Sequence, residues 1–440
     1  MLIWLIYFGQ SRNNNSKPLD FDGVENVRRV IMNEIEQYSY KDKFLIRQIL
    51  LRDGSMSESK VATTSDWEEA IRPEDYDSEW LKSKEHPLAP KWKDEIRMVD
   101  LFSGTGPMTL GVVEAGRATG RKIKPVFAVD FEKTASDNYK LNFPDCEVVN
   151  DDINNIIDGQ LGEFPTKIEQ DTLSKLGKID MVIGGPPCQG HSDLNNHTRR
   201  DDPRNQLIFK VIRFVELFSP KYVIIENVQG IRHDKHNVLG DAEVYLEKLG
   251  YTIKENLLLA SNYGVAQKRR RFILVATKEK IDFDLSHYVR EKINNVCWAI
   301  DDLSSLVPNS KDIFNTSAVH SKTNQERMNY LYDNGIYELP NHLRPKCQQK
   351  EDNRYTSVYG RMYPDKPGPT ITSGFGSIGQ GRFGHPYLRR TLTPHEAARV
   401  QFIPDFFKFG NSLTRVSLQK MIGNAVPPKL TYIIGLELLR

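Results

Sequence analysis

The feature that most constrains this chain is a regular alternation, from Ile96 onward, of short apolar runs rich in β-formers with stretches of helical length. The runs are Ile96–Phe102, Val126–Val129, Glu147–Val149, Ile179–Ile183, Tyr222–Ile225, Leu257–Ala260 and Phe272–Val275. Near-continuous apolar strands separated by helices need cover on both faces, so the pattern predicts an α/β fold with a doubly wound, mostly parallel sheet. Such sheets bind ligands beyond the carboxyl ends of their strands, and the candidate chemistry falls there.

With 440 residues the chain has room for more than one domain. We expect an N-terminal extension over 1–95, a catalytic domain over 96–300, a small separate domain over 301–385 and a segment over 386–440 that returns to the catalytic domain. Val24, Val27, Ile31, Ile35 and Tyr38 share one face of an amphipathic helix, and a second apolar helix is predicted over Phe44–Leu51. The acidic stretch Asp53–Pro90 reads as a linker with a short helical piece near Asp66–Ile71. The apolar opening Met1–Phe8 has no basic leader and is far too short to span a bilayer. Cys146, Cys188, Cys297 and Cys347 form no Cys-x-x-Cys pair, which argues against a disulfide framework or structural zinc; no metal is expected. Net charge is only +2, but residues 51–100 carry 8 Lys/Arg against 13 Asp/Glu, whereas 341–390 carry 9 against 3. The latter segment suits phosphates; a solvated charged face is the bland alternative.

Gly184-Gly185-Pro186-Pro187-Cys188-Gln189-Gly190 follows a buried strand. Two prolines fix φ and remove two donors, so the thiol is carried on a rigid turn, as a nucleophile requires. A tight loop with an incidental cysteine would look the same. Asp100-Leu101-Phe102-Ser103-Gly104-Thr105-Gly106 closes the first strand, and its glycines let backbone approach a ligand. Asp130 closes the next strand, where a carboxylate can accept from both ribose hydroxyls of an adenosine, and Phe131 can lie against adenine. Thr109 replaces the third glycine of a dinucleotide fingerprint, which ranks S-adenosylmethionine above NAD. Asp152 is placed for the adenine amino group, with helix capping as its competitor.

Together with Glu226-Asn227-Val228, Gln267-Lys268-Arg269-Arg270-Arg271 and Gly423-Asn424-Ala425-Val426-Pro427-Pro428, these clusters resemble, in order, the DNA cytosine-5 methyltransferase family over about 96–440. The resemblance implies a Rossmann-like methyltransferase fold, with 301–385 as target-recognition domain, and S-adenosyl-L-methionine as cofactor. It places the nucleophile on Cys188 and its acidic partner on Glu226, with Arg271 at the base's carbonyl oxygen and Arg269 supporting Glu226 and nearby backbone. Its cofactor pocket maps to Asp100, Phe102, Gly104, Gly106, Asp130, Phe131, Asp152, Ile153, Pro186, Leu207 and Asn424. DNA contacts are expected from Gln189, Ser192, Arg204, Gln267 and Thr370, the first three in a closing loop that also holds Asn195, Asn196, Arg199 and Arg200. Tyr359-Gly360-Arg361, the stretch Lys366–Thr372 and Leu392–Arg399 match the family's sequence around and after target recognition. Pro107 and His191 depart from the family pattern without removing a reacting group; Pro107 fits a first helical position.

The expected activity is methyl transfer to carbon 5 of a flipped cytosine through a Cys188 adduct at carbon 6. Expected partners are duplex DNA and a cognate restriction endonuclease in the host, with no membrane, for a monomer acting in the bacterial cytoplasm at the nucleoid. The same chemistry on transfer RNA and a catalytically silent DNA-binding regulator are the competing readings. A sizeable variable segment, about Asp302–Thr370, favours DNA, and joint retention of Cys188, Glu226 and Arg271 favours catalysis.

Overall fold

The computed structural model describes residues 35–67, 70–187, 206–233, 237–305, 312–349, 357–410 and 413–440, with the backbone of 30–31. The amino-terminal part is an antiparallel sheet of β1 (Val30–Ile31), β2 (Glu36–Lys41), β3 (Phe44–Leu50) and β4 (Met56–Ala62), in that order, followed by α1 (Pro73–Lys82). This corrects the helices expected over Val24–Tyr38 and Phe44–Leu51, and the linker expected over Asp53–Pro90; Val24 and Val27 lie outside the described residues. The reason is a two-residue hairpin turn: Asp42 and Lys43 both adopt positive φ, 51° and 64°, which matches the twist of paired strands and folds β2 onto β3.

The main sheet uses β5 (Asp94–Leu101), β6 (Arg121–Asp130), β7 (Glu147–Asn150), β8 (Met181–Gly184), β9 (Tyr222–Asn227), β10 (Thr252–Leu259) and β11 (Arg270–Thr277). Their spatial order is β10-β11-β9-β8-β5-β6-β7, parallel except where β11 pairs antiparallel with β9 and β10. Helices α2 (Pro107–Thr119), α3 (Lys133–Asn142), α4 (Lys167–Leu176), α5 (Ile208–Phe218) and α6 (Val238–Lys248) complete the alternation. Chain order reverses at β5 and β8, where crossovers leave in opposite directions and a crevice opens at the strands' carboxyl ends.

Side-chain alternation splits the core. Met98, Ile183, Ile224 and Ile273 pack toward α2 and the terminal helix, whereas Val99, Val182, Ile225 and Leu274 pack toward α5 and α6. Beyond the sheet come α7 (Val296–Ile300), α8 (Lys322–Asp333), α9 (Pro394–Val400), α10 (Arg415–Asn424) and α11 (Pro428–Leu439). A small satellite core of Met328, Leu331, Leu339 and Ile378 gathers the region after residue 312. Thr393 caps α9 through a reciprocal capping box with Glu396. No helix among the described residues is long and apolar enough to cross a membrane.

Candidate active site

The site builds from strand parity. Asp100 on β5, Glu226 on β9 and Arg269 and Arg271 at the start of β11 have the same parity as Met98, Ile224 and Ile273, so their side chains leave the same face of the sheet at one end. β8 ends at Gly184, whose neighbour Gly185 donates its N–H to Leu101 O at 3.2 Å. A Cβ built on Gly185 would lie 3.5 Å from Glu226 Oε2 and 3.6 Å from Met108 Sδ, so the Pro186-Pro187 turn leaves directly beside that carboxylate. Pro186 is buried. Cys188, Gln189, Ser192 and Arg204 lie outside the described residues, as does the loop Asn195–Arg200.

Glu226 is 8% exposed and burial raises its carboxyl above the usual range, against the lowering pull of Arg271 and Arg269. Arg271 Nε stands 2.6 Å from Glu226 Oε1. Arg271 holds the carboxylate, and the fully buried Arg269 donates to Ile371 O at 2.8 Å and Gly423 O at 3.3 Å while its charge also lowers the Glu226 pKa. Arg270 points outward, as strand alternation requires.

Gln267, expected to face DNA, is fully buried. Its amide donates to Gln401 Oε1 at 2.7 Å and to Val400 O at 3.3 Å, and its oxygen accepts from Ile371 N–H at 2.8 Å. A side chain whose donors and acceptor are thus engaged organises the interior; it has no surface to offer a duplex. Gln401, which the sequence reading missed, completes the arrangement by donating to Ile422 O at 2.6 Å. Lys268 and Arg270 are exposed in this stretch, and the half-buried Thr370 donates its hydroxyl to Lys268 O at 3.0 Å.

Where the cofactor pocket is expected, Phe102 and Gly104 adopt φ of 58° and 54°, and Gly106, the N-cap of α2, has φ 94°. A Cβ on Gly106 would meet Phe143 at 2.6 Å, so only glycine fits. Asp130 accepts from Gly104 N–H on one oxygen and Glu132 N–H on the other, each at 2.8 Å, and burial raises its pKa. Phe131 beside it is 78% exposed. Asp152 accepts from Asn154 N–H at 2.9 Å as a 3-10 helix cap, the competing role considered for it, with Ile153 buried beneath. Leu207 is half-buried at the start of α5 and Asn424 is exposed at the end of α10.

Asp100 is 1% exposed, accepts from Thr109 Oγ1 at 2.6 Å, and is pushed up to about 8 by desolvation, with Asp130 adding to it. Thr109, noted only as a missing glycine, also meets Tyr139 Oη at 2.8 Å. Among the described residues, Asp100 Oδ1 and Ser103 Oγ are buried without a hydrogen-bond partner. Unsatisfied polar atoms, left-handed backbone that lets the main chain close in and an exposed ring beside a fixed carboxylate fit a nucleoside-bearing ligand of mixed polarity.

A sheet of this order, with a glycine-rich turn after β5 and an acid-arginine pair across the ends of β9 and β11, defines a Rossmann-like α/β methyltransferase fold. The family model for C-5 cytosine-specific DNA methylase matches residues 96–440. The chain is 46% identical over 410 residues to the Type II methyltransferase M1.BsuMI of Bacillus subtilis, covering 92% of this chain and 95% of that protein. It is 31% identical to the Type II methyltransferase M1.HphI of Haemophilus parahaemolyticus, covering 78% and 87%. A prophage-encoded DNA modification methyltransferase structure from E. coli superposes with a TM-score of 0.54 at 25% identity, covering 78% of this chain and 98% of that one. The chain belongs to the C-5 cytosine-specific DNA methylases and is a DNA (cytosine-5-)-methyltransferase that uses a methyl donor.

Proposed function

We propose that this enzyme transfers a methyl group from S-adenosyl-L-methionine to carbon 5 of cytosine in a specific duplex sequence, through a Cys188 adduct on a flipped-out base. The single observation that carries the reading is the buried Glu226, its carboxyl pKa raised by that burial, beside the Gly185-Pro186-Pro187 turn and held by Arg271. Carbon 5 is too weak a nucleophile to react alone. A Cys188 thiolate adding at carbon 6 pushes the ring electrons toward N3, where Glu226 supplies a proton and carbon 5 gains enamine character. Arg271 contributes fixed positive charge for the developing oxyanion once the base displaces it from Glu226. The bound sulfonium supplies an electrophilic methyl group. Loss of the carbon 5 proton to a base, expulsion of the thiolate and return of the N3 proton to Glu226 then restore the neutral aromatic ring, with no net oxidation.

For the donor, Asp130 and Phe131 would hold the adenosine, with Asp152 and Ile153 at the adenine, while Phe102, Gly104, Gly106, Asp100, Pro186, Leu207 and Asn424 line the rest. Target choice rests with 301–385, and residues 386–440 close the catalytic domain. The buried Gln267 serves this scheme by joining Ile371 to Gln401. The Type II names of the relatives support a modification enzyme of a bacterial restriction-modification system; in this reading it acts on DNA as a cytoplasmic monomer beside a partner endonuclease. Cys188→Ala should abolish tritiated methyl incorporation into DNA while leaving S-adenosylhomocysteine binding intact; normal turnover by that variant would refute the assignment. Incorporation into transfer RNA but into no DNA would refute the duplex substrate.

A further inference from the structure

The segment before residue 96 lies outside the matched family model, yet it reaches the cofactor end through buried charge. Lys429 Nζ donates to both oxygens of Asp77 on α1, at 2.6 and 2.8 Å, with side chains 3% and 4% exposed. Lys429 is the second residue of α11, immediately after the Asn424–Pro428 turn. That start of α11 is pressed on the first turns of α2. Thr431 Oγ1 donates to Met108 O at 2.9 Å, and a Cβ on Gly111 would fall 2.1 Å from both Pro428 O and Thr431 Oγ1.

The far side of α2 is held by the same layer. Arg47 on β3 pairs with Glu114 at 2.8 Å, and Arg117 donates to Tyr76 Oη at 2.8 Å and to Lys60 O at 3.0 Å. Arg47 also lies over the rings of Tyr76 and Tyr432, at 4.6 and 4.9 Å. α2 carries the Gly104–Gly106 loop at its head, and the Asn424 turn precedes α11. The amino-terminal layer therefore grips both pieces of backbone that would flank the donor. A buried ion pair fixes direction as well as distance, because either charge alone would be left unpaired in a low-dielectric interior.

We infer that Asp77 is a positioning residue for the methyl donor, setting through Lys429 where the Asn424–Pro428 turn stands relative to the glycine loop. The inference rests on the cofactor site proposed above. Its test is isothermal titration of full-length Asp77→Asn with S-adenosylhomocysteine, together with steady-state kinetics. Donor Kd and KM should rise by at least about tenfold, as small displacements of binding groups allow, with KM for DNA and kcat at saturating donor within about twofold of wild type. If Asp77→Asn does not fold, the paired Asp77→Leu/Lys429→Met chain, which leaves no lone charge, carries the same prediction.

Arg52→Ala separates positioning from bulk stability. Arg52 ties the β3–β4 turn to Glu437 at the other end of α11, with an N–O distance of 2.9 Å. Its loss should lower Tm without changing donor affinity. Unchanged donor affinity in the Asp77 variants, or weakening in step with Tm in both they and Arg52→Ala, overturns the inference. Failure of wild type to bind S-adenosylhomocysteine would instead overturn the cofactor reading, and the inference with it.

Discussion

Replacing Asp100 by Asn should make stability less sensitive to pH, by an amount that follows from where the carboxyl sits. Its side chain is 1% exposed, one oxygen takes the Thr109 hydroxyl and the other has no partner among the described residues, and desolvation carries its pKa from an ordinary 3.8 to about 8. The folded chain therefore keeps this proton over a range in which the unfolded chain has released it. With more protons bound in the folded state, stability falls as pH rises from about 4 to about 8, at about 1.4 kcal/mol per pH unit. Asn keeps an acceptor for Thr109 and cannot ionise, so it removes that slope. Urea unfolding at pH 5 and pH 7.5 should show the difference in stability between Asp100→Asn and wild type growing by about 3 kcal/mol across the interval, the variant gaining. Parallel pH profiles for the two proteins, with a constant difference, would refute the reasoning and show Asp100 ionised in the folded state.

Further outcomes are expected elsewhere. Glu226→Gln should slow single-turnover methyl transfer by about 10²–10⁴-fold. Because burial raises the Glu226 pKa, the wild-type rate should decline as pH climbs through that raised value, and the residual rate of the variant should lack this decline. Lys429→Met alone, stranding the Asp77 carboxylate, should cost about 3–5 kcal/mol in denaturant unfolding, and adding Asp77→Leu should recover most of it. Gly423→Ala should lower stability by about 1–3 kcal/mol in thermal denaturation, since its Cβ would stand 2.2 Å from Ser373 N.

The main sheet was legible because its strands are buried on both faces. Every residue of β9 is buried, and Val-Ile-Ile in such a run has no other comfortable place. The acid-arginine pair was legible for a related reason: a carboxylate ending that run and arginines opening the neighbouring antiparallel strand are brought together by register. The amino-terminal sheet was not, since Ile31, Ile35 and Tyr38 fall at helical spacing while the β2–β3 turn uses Asp42 and Lys43 at positive φ in place of an Asn-Gly signature. Asp53-Gly54, with Gly54 at φ 82°, was the one hairpin signal available between β3 and β4. The burial of Gln267, which the family resemblance had put at the DNA, was not legible because its partners Ile371 and Gln401 lie more than a hundred positions away. Thr109 gains its role from burial beside Asp100, which spacing does not encode.

The most direct measurement of the central claim uses duplex DNA in which 5-fluorocytosine replaces cytosine, incubated with the full-length enzyme and S-adenosylmethionine. Fluorine cannot depart from carbon 5 as a proton does, so the account predicts a denaturation-resistant protein–DNA adduct that peptide mass spectrometry places on Cys188. Methylation of unsubstituted duplex without any such adduct, or an adduct mapped to Cys146, Cys297 or Cys347, would contradict it.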